Sequence, residues 1–129
     1  MTESEAAIAK WVADQGDAAW YGVDLDGSLA VHGTWQGPLH IGAPIPAMQR
    51  RVKRWLKQGR RVKIFTARVC EKDPVLLTAI VNAIQDWCVK HLGQSLDVAN
   101  EKDYNCIEFW DDRAVQVVRN TGRRADGKR

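Results

Sequence analysis

Four short apolar runs of this chain each stop at a residue that can do chemistry. Ala18 to Val23 runs into Asp24-Leu25-Asp26-Gly27-Ser28, and Val62 to Phe65 runs into Thr66. Leu96 to Ala99 leads to Asn100-Glu101-Lys102, and Ile107 to Trp110 leads to Asp111-Asp112. Ligands of open α/β sheets bind just outside the carboxyl ends of parallel strands. Strand ends that supply a nucleophile, a hydroxyl, an ammonium and paired carboxylates predict one phosphoryl-transfer site gathered from distant segments.

The pattern between those runs supports such a sheet. Thr2-Glu3-Ser4-Glu5 has capping-box spacing. Ile8, Trp11 and Val12 follow at helical spacing, and Gly16 is a stop. Leu29 to Gly42 has no helical period and reads as a hairpin or flap. Pro44 and Pro46 open a helix with Ile45, Met48, Val52, Trp55 and Leu56 on its apolar stripe, ending at Gly59. Asp73-Pro74 starts the longest helix, which Gly93 ends. Leu96–Ala99, Cys106–Trp110 and Val115–Val118 are three further short strands, Asn120-Thr121-Gly122 is a turn, and the tail from Arg123 is polar and expected to fray. The expectation is an α/β fold with a mostly parallel five-stranded sheet, one domain over residues 1–122 and a tail over 123–129.

A chain of 129 residues favours one domain and buries roughly two-thirds of its unfolded surface. The 45% apolar and 27% charged content is that of an ordinary soluble protein. A net charge of +3 permits anionic partners without demanding nucleic acid. Cys70, Cys88 and Cys106 are odd in number and lack zinc-type pairing, so they read as reduced thiols. No stretch spans a bilayer, and the acidic N-terminus lacks a signal-peptide charge pattern. A cytoplasmic protein with no membrane partner is expected.

Asp24 and Asp26 stand where a strand gives way to a Gly-bearing turn, so both carboxylates can reach one site. Such a pair repels by about 4 kcal/mol at roughly 4 Å and an effective dielectric of about 20, and calls for a cation or a shared proton. Mg²⁺ suits it, taking one or two carboxylates plus phosphate oxygens and water. A polar turn is the plain alternative. A calcium loop needs a carboxylate at its twelfth position, where Trp35 stands. The Thr66 hydroxyl and the Ala67 N–H can bind a phosphate oxygen, and Arg68 can add a fork-shaped donor. Lys102 can offset charge on a phosphoryl group. Asp111-Asp112 completes the call for metal, the bland version being a turn with Arg113 as salt partner.

The remaining residues carry less. His32, His40 and His91 have no metal-ligand spacing, and solvent exposure is the expectation for His32 and His40. Cys70 reads as a packed thiol. Arg50, Arg51, Lys53, Arg54, Lys57, Arg60 and Arg61 read as a solvated helix face, and less often such a cluster is a nucleic-acid patch.

In order, Asp24-Leu25-Asp26-Gly27, Ile64-Phe65-Thr66-Ala67-Arg68, Lys102 and Phe109-Trp110-Asp111-Asp112 resemble the four motifs of the haloacid dehalogenase (HAD) superfamily. The resemblance covers Trp20 to about Val118. It implies a three-layer Rossmann-like fold and a Mg²⁺-dependent phosphomonoesterase. Asp24 would form an aspartyl-phosphate, and Asp26 would protonate the leaving oxygen and then activate water. Thr66, Ala67, Arg68 and Lys102 would surround the phosphoryl group. Asp24, Asp26 through its carbonyl, and Asp111 would hold the metal, with Asp112 close by. Leu29 to Pro44 has room only for a flap, so the resemblance is to a capless member, open to a small phosphorylated molecule or a macromolecular end, or closed by another subunit. The short link from Lys102 to Asp111 departs from the family's commoner helix-bearing spacing. Two other readings follow from the same residues. One is a nucleic-acid end-processing 3′-phosphatase. The other is a non-catalytic phosphoacceptor or binding protein, although receiver domains carry their acidic pair first and a single Asp later.

Overall fold

Proline, glycine and side-chain caps set the helices. The computed structural model describes residues 2–7, 9–10 and 19–129. Helix α1 (Pro46–Lys57) opens on proline, buries Met48, Val52 and Trp55, and carries Arg54 and Lys57 in its last turn, where cations meet the negative end of the helix dipole. Pro44, expected in that first turn, lies outside the helix and bridges Ala30. Helix α2 (Pro74–Leu92) starts at Asp73, whose carboxylate accepts hydrogen bonds from the Val75 and Leu76 amides, and it stops at Gly93 in the left-handed region. Near the N-terminus residues 3–7 and 9–10 are helical. The capping box is formed, with Thr2 N–H donating to Glu5 and Glu5 N–H donating to the Thr2 hydroxyl at 2.9 and 3.1 Å. Ile8, Trp11, Val12, Gly16 and Ala18 lie outside the described residues. No helix among the described residues is long and apolar enough to cross a membrane.

Among the described residues four strands form one sheet: β1 (Trp20–Asp24), β2 (Arg61–Phe65), β3 (Asp97–Ala99) and β4 (Cys106–Trp110). Their order is β3-β2-β1-β4, and every pair is parallel. The expected fifth strand at Val115–Val118 does not form. Val117 makes only an isolated antiparallel bridge to Arg124, and the amides of Val118 and Ala125 bond to Arg123 and Gln116. Those valines have strand propensity, but they remain about half exposed and bond back to residues 123–125 rather than to the outer edge of β4. The same bonds, with the Arg124–Asp126 ion pair at 2.8 Å, tie down a tail expected to fray.

The four parallel strands and their helices are consistent with the expected Rossmann-like fold. Both helices pack on one face of the sheet, where Val23, Val62 and Ile64 meet Met48, Val52 and Trp55 of α1 and Ile80, Ile84 and Trp87 of α2. Right-handed crossovers stepping the same way along a sheet place their helices on the same side. The return from β3 to β4 runs along the other side, and it contains no helix. Its residues, 100–105, must cross β2 and β1 while descending from the level of Asp24 to that of Trp20. Three strand spacings and four residue rises give a path of about 19 Å. Seven extended Cα steps reach about 24 Å, whereas the same residues as helix would span about 10 Å. The span leaves no room for a helix, and the segment ends in a turn in which the Cys106 amide bonds to the Asp103 carbonyl at 3.3 Å.

Candidate active site

The carboxyl ends of β1 and β2 and the end of β4 meet at one crevice. Leu25 is fully buried between Asp24 and Asp26, so its neighbours face away from the core. The chain then doubles back, with the amides of Leu29 and Ala30 bonded to the Leu25 carbonyl and that of Gly27 to Ala30. Gly27 sits at φ +90, and a Cβ there would lie 2.6 Å from the Asp112 carboxylate. Only glycine allows both the turn and the approach of the acidic pair.

Asp24, Asp111 and Asp112 each place a carboxylate oxygen within 4.8 Å of the others. Burial first, then the hydrogen bond with Asp112, then the charges of Asp111, Asp112 and Asp26 push the Asp24 carboxyl up to about 7. Ser28 joins the group: its hydroxyl accepts from the Asp112 amide at 3.0 Å and lies 3.4 Å from carboxylate oxygens of both Asp24 and Asp112. The Asp111 carboxylate accepts from the Arg113 amide at 2.7 Å. Three carboxylate oxygens gathered this closely could hold a metal ion.

Thr66 is the one buried polar residue among the described residues. Its hydroxyl accepts from the Arg68 amide at 3.2 Å and caps the short 3-10 turn Ala67–Cys70. Ala67 opens that turn, where the first N–H groups have no partner within it. Asp24, Asp26, Thr66, Ala67, Arg68 and Arg113 all border a cavity of about 350 Å³.

Asp26 faces a different partner from Asp24. Nε and Nη2 of Arg68 each donate to one of its carboxylate oxygens at 2.8 Å, while Nη1 donates to the Pro38 and His40 carbonyls. The fork expected for phosphate is thus spent on Asp26 and on the flap. The Asp26 side chain is absent from the three-carboxylate cluster. His32, expected in solvent, stands 3.7 Å from Asp26 and is half-exposed.

Lys102 is not brought to the crevice. Its Nζ lies 4.1 Å from the centroid of the Phe109 ring, and it borders a neighbouring cavity together with Phe109 and the cluster residue Asp111. Arg113 borders the crevice instead. Its guanidinium makes no hydrogen bond or ion pair among the described residues. Sequence reasoning missed Ser28 and Arg113 as site residues. Ser28 had one usable signal, its place in the turn that carries both acids. Arg113 had only its adjacency to the acidic pair. Cys70 is exposed rather than packed, and accepts from the Asn100 amide group at 3.3 Å.

No family model and no curated protein matches the chain. Among solved structures it is similar to a conserved protein of Bacteroides thetaiotaomicron, with a TM-score of 0.50 and 23% identity over 74% of this chain and 77% of that one. That likeness shows a shared α/β fold.

Proposed function

We propose that this chain is a HAD-like, Mg²⁺-dependent phosphomonoesterase that works through an aspartyl-phosphate on Asp24. The observation that carries the reading is the convergence of Asp24, Asp111 and Asp112 at the mouth of a parallel sheet, beside a buried Thr66 hydroxyl. In this reading an Asp24 oxygen attacks phosphorus and the ester P–O bond breaks. Water later cleaves the acyl phosphate, releasing inorganic phosphate and restoring Asp24. Asp26 supplies the leaving oxygen's proton and then takes one from that water. Arg68 fixes the plane of the Asp26 carboxylate, and an acid with about four lone-pair sites keeps two free of that clamp. Thr66, the Ala67 N–H and Arg113 bind the non-bridging phosphoryl oxygens.

Asp24, Asp111 and Asp112, with the Asp26 carbonyl, would hold Mg²⁺, whose charge would offset the carboxylates and the transferring phosphoryl group. Ser28 keeps Asp24 and Asp112 in register for that role. The test is a panel of aryl phosphate, sugar phosphate, nucleotide and 3′-phosphorylated oligonucleotide, each with and without Mg²⁺. Hydrolysis should need the metal and disappear in a folded Asp24→Asn variant. Turnover by that variant at the wild-type rate would reject the assignment.

One observation favours the oligonucleotide reading. Helix α1 has no acidic residue, and its Arg50, Lys53, Arg54 and Lys57 are exposed. A steep loss of oligonucleotide binding with salt would support it.

A further inference from the structure

The flap between β1 and α1 is a built element with its own cavity. The Val31 amide bonds to the Ala43 carbonyl at 2.8 Å, and a Cβ on Gly42 would overlap the Val31 carbonyl. The Trp87 indole donates to the Gly42 carbonyl at 3.0 Å, and Arg68 grips Pro38 and His40. These bonds hold the flap over a cavity of about 210 Å³. It shares Asp26, His32, Trp35 and Arg68 with the crevice that holds Asp24 and Thr66. Whatever is joined to a phosphoryl group at Asp24 can therefore extend under the flap without leaving the protein.

The walls of this second cavity have a definite chemistry. The Arg68 guanidinium lies 4.9 Å from the Trp35 ring centroid, fixing the indole by a cation–π contact. Trp35 nevertheless stays 55% exposed, so much of the ring surface is open to a partner. Thr34, Gln36 and His40 add donors and acceptors to a lining that also includes Val31, Gly33 and Gly42. At about 210 Å³ the space is smaller than the roughly 300–1,000 Å³ of pockets for drug-sized ligands. It suits one planar ring system rather than a chain.

We propose that Trp35 and the flap cavity form a leaving-group subsite for a nucleobase, making nucleoside monophosphates the substrate class. This rests on the phosphomonoesterase reading for its phosphoryl end, while the ring subsite is measurable without turnover. The base stacks on the open surface of Trp35, and its edges meet the polar lining. Stacking of a base on an aromatic side chain corresponds to about a 5- to 150-fold gain in affinity.

Calorimetric titration of the full-length Asp24→Asn chain with adenosine monophosphate and with ribose 5-phosphate isolates the base, because the two share sugar and phosphate. The nucleotide should bind about 5- to 150-fold more tightly. Trp35→Ala in the same background should bring the nucleotide down to the affinity of ribose 5-phosphate, and Trp35→Phe should restore most of the gain. Equal affinities, or a preference that survives Trp35→Ala, overturn the subsite. So does tighter binding of a 3′-phosphorylated oligonucleotide that is insensitive to Trp35. Wild-type hydrolysis is read separately: a Trp35-dependent preference with no hydrolysis of any ester keeps the subsite and rejects the phosphatase. Hydrolysis of both sugar phosphate and nucleotide at equal efficiency does the reverse.

Discussion

Replacing Asp24 by asparagine should make the metal-free protein more stable above neutral pH. Burial and three neighbouring acids push the Asp24 carboxyl from an ordinary 3.8 up to about 7. Between about pH 4 and 7 the folded protein holds a proton that the unfolded chain has released. Stability therefore falls as pH rises through that interval, and the full penalty is present above about pH 7. A gap of about three pH units sets a ceiling of about 4 kcal/mol. Asp24 still meets solvent, so screening brings the expected effect to about 1–2 kcal/mol. Asparagine carries no such charge. Thermal melts of both chains without metal, at about pH 4 and about pH 8.5, should show the variant's relative advantage growing by that amount, about 3–8 °C for a chain of this size. Comparing the two chains cancels the titrating groups that do not interact with Asp24. Saturating Mg²⁺ at the higher pH should reverse the order, adding about 2.7 kcal/mol to the wild type at a hundredfold excess over Kd and far less to the variant. A gap between the chains that is the same at both pH values would refute the reasoning, because the acids would not then confront one another.

Three further outcomes follow from the geometry. Arg113→Ala should lower kcat/KM for an aryl phosphate by about 10- to 100-fold, the scale of one charge-assisted contact, while Lys102→Ala should cost less; a larger loss from Lys102 in steady-state kinetics contradicts the placement of these cations. Gly27→Ala should destabilise by about 1–3 kcal/mol, because the residue is at positive φ and its Cβ meets Asp112; denaturant titration within a few tenths of wild type would show that the turn has room. Arg68→Met should free the flap, raising hydrogen exchange at the Val31 amide while that of Ile64 in β2 stays protected; equal protection of Val31 in both chains would mean that the clamp does not hold the flap.

Much of this molecule is legible from local physics. Asp73-Pro74 and Gly93 delimit α2 because capping and φ preferences act within a few residues. Apolar runs locate four strands because each sets at least one side chain into or against the core, among them Val23, Ile64, Val98 and Trp110. The acids at Asp24, Asp111 and Asp112 were visible as strand ends, and the parallel order β3-β2-β1-β4 brings them together. Other decisions belong to the tertiary structure. Val115–Val118 has a strand's composition, but its backbone is bonded to residues 123–125 rather than to the outer edge of β4, a choice of partner that propensity does not make. Lys102 looks like a phosphate ligand in sequence, yet the crossover from β3 to β4 leaves its ammonium over the Phe109 ring. Arg68 reads as a phosphate fork until Asp26 and two flap carbonyls are found within its reach, at 2.8–2.9 Å. Residue type and spacing carry short-range preferences; the partner of a long charged side chain is chosen by distances that exist only once the sheet is assembled.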